Sequence, residues 1–208
     1  MSANSYKTAK KPIASAISEA TLKREIAVHG VVAYPTVTEP DPETGKYSTL
    51  LIIPRNEPTL ETLLELIGDH AEALTGSRTL GAKYHNPIRD ADERKPNGEL
   101  VFKHAGFRGD NVVVRLKSGF APKCFYGANK TPCDPGEIKG GDECLVGIQA
   151  FHFNNQSAGV ALSLSAILLI GKTEHVIEKG QGGGTSFDSL DLSGVKFRTA
   201  DATFGAEA

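Results

Sequence analysis

One helix signal stands among strands. Leu60, Leu63, Leu64, Ile67, Ala71 and Leu74 recur at i, i+3, i+4, i+7, i+11 and i+14, which is one apolar stripe of an amphipathic helix. Glu61, Glu65, Asp69 and Glu72 fall on the opposite face. Asn56 is a cap candidate, Pro58 suits the first turn, and Gly76 supplies the stop. The rest of the ordered-looking chain reads as strand. Segments 26–37, 47–54, 99–107, 111–117, 122–126, 143–153 and 160–170 are rich in β-branched and aromatic residues. Turn chemistry divides them, as in Gly109-Asp110, Ser118-Gly119, Asp134-Pro135-Gly136 and Gly140-Gly141-Asp142. Gly30 reads as a bulge or bend inside the first strand. This pattern excludes a helical bundle and a doubly wound sheet. It predicts an all-β barrel or sandwich with one amphipathic helix inserted.

Charge is segregated along the chain. The 208 residues carry 23 Lys plus Arg against 25 Asp plus Glu, a net charge of −2. By position, residues 1–24 carry +4, 25–80 carry −6, 81–130 carry +5 and 131–208 carry −5. A near-neutral chain with a basic middle can still present a positive field on one face. A mean hydropathy of −0.22 excludes a multi-span membrane protein. The longest apolar run, residues 158–170, is broken by Gly159, Ser163 and Ser165, and the N-terminus has no apolar targeting core. A soluble cytoplasmic protein without membrane partners is the expectation. Three segments follow: a flexible basic arm over 1–24, a β domain over 25–178, and a Gly-rich linker with a mobile, weakly acidic tail over 179–208.

No catalytic or metal motif emerges. Cys124, Cys133 and Cys144 are odd in number and form no CxxC pair, which fits reduced thiols rather than a zinc ribbon. Asp90, Asp92 and Glu93 are candidate metal ligands, but Arg89, Arg94 and Lys95 beside them offer simple neutralisation. The expectation is no cofactor and no metal.

The basic middle interleaves cations with aromatic rings. Lys83, Arg89, Arg94, Lys95, Lys103, Arg108, Arg115 and Lys117 are the candidate phosphate contacts. Tyr84, Phe107, Tyr47 and Phe153 are the candidate stacking residues. Single-stranded nucleic acid needs both groups: cations follow the phosphates, and exposed rings stack on unpaired bases. The competing reading makes the phenylalanines barrel core and the cations its solvated alternate positions.

Four stretches carry a resemblance. They are Lys46-Tyr47-Ser48-Thr49-Leu50-Leu51-Ile52-Ile53-Pro54, Asn86-Pro87-Ile88-Arg89-Asp90-Ala91-Asp92, Phe151-His152-Phe153-Asn154-Asn155 and Gly159-Val160-Ala161-Leu162. Their order around the central helix, over residues 26–171, resembles the phage-encoded single-stranded-DNA-binding proteins of the OB-fold type. The resemblance implies an OB-fold-like barrel that binds single-stranded DNA in phage replication or recombination, without catalysis. It also implies contacts to replication or recombination proteins through the C-terminal tail. This chain departs in three ways: Ala91 stands where the family commonly has Gly, the tail is only weakly acidic, and the helix falls between the second and third strands. A non-enzymatic virion protein with a β-sandwich, and a metal-dependent nuclease using Asp90, Asp92 and Glu93, are the alternative readings.

Overall fold

A computed structural model describes residues 17–173 and residue 177. The sequence expectation of an all-β, OB-fold-like barrel with one inserted amphipathic helix holds. Five long strands form the barrel. These are β1 (Glu25–Thr36), β2 (Tyr47–Pro54), β4 (Asn111–Ser118), β7 (Glu143–Asn154) and β8 (Ala158–Gly171). Three short strands decorate it: β3 (Ile88–Asp90), β5 (Lys123–Tyr126) and β6 (Thr131–Pro132). The antiparallel order β4-β2-β1-β7-β8 closes on itself through a parallel contact of β4 with β8, at Leu116 with Leu162 and Lys117 with Ser163. Closure removes the open edges that an isolated sheet would expose.

Alternation explains why these strands close. Val28 and Val32 of β1, Leu51 and Ile53 of β2, and Val112, Val114 and Leu116 of β4 point inward. Val146, Ile148 and Ala150 of β7 and Leu162, Leu164, Ile167 and Leu169 of β8 complete that core. Register shifts within the β7–β8 pair at Glu143/Cys144 and Gly147/Ile148 leave Ile170 and Ser165 unpaired, so these bulges fall on β8. Gly30 is not a bulge. It sits in register opposite Cys144, and a Cβ there would meet the Ile52 carbonyl oxygen at 2.5 Å. The glycine is needed for close approach of β2, and the irregularity of β1 falls later, between Ala33 and Thr36.

The inserted helix, α2 (Pro58–Thr75), packs against β7, β1 and β8. Its cap is Glu57 rather than Asn56: the Glu57 carboxylate accepts from the Thr59 N–H at 3.1 Å. Gly76 closes the helix in the left-handed conformation, φ 79°, as expected. The buried stripe is rotated from the predicted one. Leu66 is buried and Leu64 is 51% exposed. Asp69, expected on the solvent face, is buried because Arg24 and Arg78 pair with it at 3.2 and 2.6 Å. Arg24 follows α1 (Glu19–Leu22), one helical turn within the segment read as an arm. Residues 1–16 and 178–208, with the expected linker and tail, lie outside the described residues.

Segment 99–107 is not the strand that the sequence suggests. It ends in a 3-10 turn over Ala105–Phe107 and lies on the outer face of β1, β2 and β4. Phe102 and Phe107 stack at 5.2 Å between centroids and cover Val31, Ala33, Leu50, Ile52 and Val113. The barrel therefore has two apolar layers, one inside it and one beneath this loop. Both faces of β2 are buried, which explains its unbroken apolar run Leu50–Ile53.

Candidate nucleic-acid interface

A groove of about 540 Å³ opens on the outside of the barrel where β4 meets β8. Its floor is the outward face of β4. Arg115 and Lys117 alternate there with buried Val114 and Leu116, so strand periodicity alone aims both cations outward. Lys46, just before β2, and Gly119, just after β4, lie at one end. Phe151 and Phe153 form one wall. They are two residues apart on β7 and therefore share a face. Phe151 is 49% exposed. Phe153 is half-buried, with the His85 ring 6.1 Å away between centroids. The opposite wall is the segment from His85 to Arg89.

The twelve sequence-predicted contacts separate into groups. Arg89, Arg115, Lys117 and Phe153 line the groove. Arg115 and Lys117 pair with no carboxylate among the described residues. Arg89 is different: Glu93 accepts from its Nε and Nη2 at 2.6 and 2.5 Å. That fork raises the Arg89 pKa, and the guanidinium also lies 5.7 Å from the Phe102 ring centroid.

Other cations of the loop are also engaged. Lys95 and Lys103 both face Glu99, at 3.5 and 3.9 Å. Lys103 foremost, then Asn97 and Lys95, hold the Glu99 carboxyl below its ordinary range. Arg94 donates to the Gly98 carbonyl at 2.8 Å. Arg108 is exposed beyond the 3-10 turn, and none of these four lines the groove.

The aromatic expectations need one correction. Phe107 is fully buried between Phe102 and Tyr34, with centroids at 5.2 and 5.7 Å, so its ring has no free face for a base. Hydrophobic covering of the β1-β2-β4 face claims it. Tyr84 is half-buried outside the groove lining, with the Lys83 ammonium 5.0 Å from its ring centroid. Tyr47 is half-buried at the start of β2, opposite Ser118, and is likewise outside the lining.

Among the cationic, imidazole and aromatic lining residues, Lys46, His85, Phe102 and Phe151 were absent from the predicted set. The period-two pair of Phe151 with Phe153 was the available signal for Phe151. Lys46 and Phe151 stand in two of the stretches that carry the resemblance, but tertiary pairing is what brings them and His85 to one groove. Two of the three acidic candidates for metal are used otherwise. Asp90 pairs with Arg55, and Glu93 with Arg89. Among the described residues no group of three His, Cys, Asp or Glu side chains is arranged to hold a metal ion. No helix among them is long and apolar enough to cross a membrane.

A closed five-stranded OB-fold-like barrel, with an outward cationic strand beside recessed phenylalanines, defines the architectural class. Solved structures of the same shape belong to phage proteins. The chain superposes on the single-stranded DNA-binding protein from bacteriophage Enc34, C-terminal truncation, with TM-score 0.57 and 17% identity over 72% of this chain and 87% of that one. The same protein in complex with ssDNA gives TM-score 0.56 and 18% identity over 72% and 88%. The single-stranded DNA-binding protein gp2.5 of bacteriophage T7 gives TM-score 0.53 and 15% identity over 79% and 99%. Identities this low establish a shared fold. No family model matches the sequence, and none of the curated proteins matches it.

Proposed function

We propose that this protein binds single-stranded DNA along the β4–β8 groove, without catalysis and with little sequence preference. The observation that carries this reading is the pair Arg115 and Lys117, outward, side by side and without carboxylate partners among the described residues, next to Phe151 and Phe153. Cations at such spacing follow a phosphate backbone, and recessed rings take bases that a single strand can offer and a duplex keeps stacked. The similarity in shape to the two phage proteins supports the same reading.

The sequence resemblance and the similarity in shape support a finer role. The protein acts in phage DNA replication or recombination, in the cytoplasm of the host cell. Its weakly acidic tail is the candidate contact for replication or recombination proteins.

Fluorescence anisotropy with labelled oligo-dT and a duplex of equal length tests the binding. The expected result is preference for the single strand, with log affinity falling against log salt by about 0.7 per neutralised phosphate. Equal affinity for the duplex, or binding indifferent to salt, overturns the proposal.

A further inference from the structure

The segment leading into β3 does more than wall the groove. β4 and β8 pair in parallel at Leu116–Leu162 and Lys117–Ser163. Earlier along both strands they no longer pair with each other, and the chain from His85 to Asp90 occupies the interval. At one end, His85 bridges Gly159 of β8: the His85 N–H donates to the Ala158 carbonyl at 2.9 Å, and the Val160 N–H donates to the His85 carbonyl at 3.1 Å. At the other end, Ile88, Arg89 and Asp90 pair with Val114, Val113 and Val112 of β4. Between the two, the Ile88 N–H donates to the Asn86 side-chain oxygen at 3.0 Å, fixing a bend at Asn86-Pro87. The segment is a strap laced to both lips of the barrel seam.

Its attachment to β8 depends on one residue. A Cβ at Gly159 would meet the His85 oxygen at 2.4 Å and the His85 Cβ and nitrogen at 2.6 Å each. No side chain fits there without moving the strap. Two of the blocking atoms are backbone, so the conflict cannot be relieved by a rotamer change.

We infer that Gly159 and the His85 backbone form a latch that holds the strap across the seam and makes the groove selective for single strands. This rests on the binding reading above and adds the source of its selectivity. With the strap in place, Arg115, Lys117 and the two phenylalanines lie in a recess that an unpaired strand enters and a stacked duplex does not. With the strap released, the same cations face solvent on an open strand, where the phosphates of either form reach them. Gly159 is thus a positioning residue: it touches the strap, and the strap shapes the site.

The experiment uses the full chain and two readouts. Amide hydrogen exchange at His85 and Val160 reports the latch directly, without DNA. Titration with labelled oligo-dT and with duplex of equal length reports selectivity. Gly159→Ala is expected to speed exchange at both amides at least tenfold relative to the β1–β2 amides. It is also expected to lower the ratio of single-strand to duplex affinity at least tenfold. If Gly159→Ala does not fold, His85→Pro, which deletes the N–H to Ala158, takes its place, with exchange read at the Val160 amide alone and the same expectation for the affinity ratio. Unchanged exchange in the folded latch variant overturns the latch. Faster exchange with an unchanged affinity ratio overturns its role in selectivity. A wild-type chain that prefers duplex sinks the binding reading itself and the selectivity with it, while the exchange result still decides whether the latch exists.

Discussion

The loop over 89–103 and the outward face of β4 both carry basic residues, and they use their cations in opposite ways. In the loop, Arg89 is forked onto Glu93, Lys95 and Lys103 share Glu99, and Arg94 is bonded to the Gly98 carbonyl. On β4, Arg115 and Lys117 meet no carboxylate among the described residues. A cation already paired gives up that partner before it can neutralise a phosphate, while an unpaired one releases only water and counterions. A count of cations alone favours the loop, four against two, and partner geometry reverses that ranking. The aromatic rings divide similarly. Phe102 and Phe107 fasten the loop to the barrel, whereas Phe151 and Phe153 open onto the groove.

The sharpest way to break this contrast is Phe107→Ala. Loss of a fully buried ring that stacks on Phe102 and packs against Tyr34 should cost about 3–5 kcal/mol of stability, read as a lower denaturant midpoint. Variant protein kept folded at low temperature should still bind oligo-dT to within about threefold. A large loss of affinity with stability intact would return Phe107 to the stacking set.

Next in size is the double change Arg115→Ala with Lys117→Ala. Each lost charged contact is worth about tenfold, so oligo-dT affinity should fall about 100-fold at moderate salt. The log–log salt slope should become shallower by about 1.4, two phosphates at 0.7 each. An unchanged slope would mean that DNA does not run over β4.

Phe153→Ala should cost about 1–3 kcal/mol of binding and leave the salt slope as it was, because stacking releases no counterions. Titrations at three salt concentrations separate that signature from the charge variants. A slope that moved with Phe153 would show that the ring positions cations rather than bases.

The smallest effect belongs to the loop. The triple change Arg94→Ala, Lys95→Ala, Lys103→Ala should shift affinity by less than about threefold, since exposed pairs are worth about 0–1 kcal/mol. A drop comparable to that of the β4 pair would erase the distinction between the two regions.

Several of these facts were readable from the residues in order. The helical period between Leu60 and Ala71, the period-two alternation of the long strands and the Gly76 stop depend on near neighbours, and the structure keeps them. The i,i+4 pairs Arg89–Glu93, Lys95–Glu99 and Glu99–Lys103 were also visible as spacing, although they form in a loop rather than on a helix. Neutralisation of Arg89 and Lys95 was therefore an expectation of the sequence, and the fold decided which carboxylate each one takes.

What only the tertiary structure decided concerns partners far apart in the chain. Leu66 replaced Leu64 in the buried stripe because α2 faces β7, β1 and β8 at once, and Asp69 could be buried because Arg24 and Arg78 reach it. Phe107 became core because a sheet whose outer face is also apolar must be covered, and the nearest rings in the chain were those of its own loop. Gly159, one small residue in a strand, shows its purpose only opposite His85, 74 positions earlier. The sequence by itself determined a helix-decorated barrel with a basic, aromatic middle, because secondary-structure periodicity and composition are local properties. Which cations stay free, which rings stay exposed and what seals the seam are properties of long-range pairing, and those were settled where β4, β8 and the strap meet.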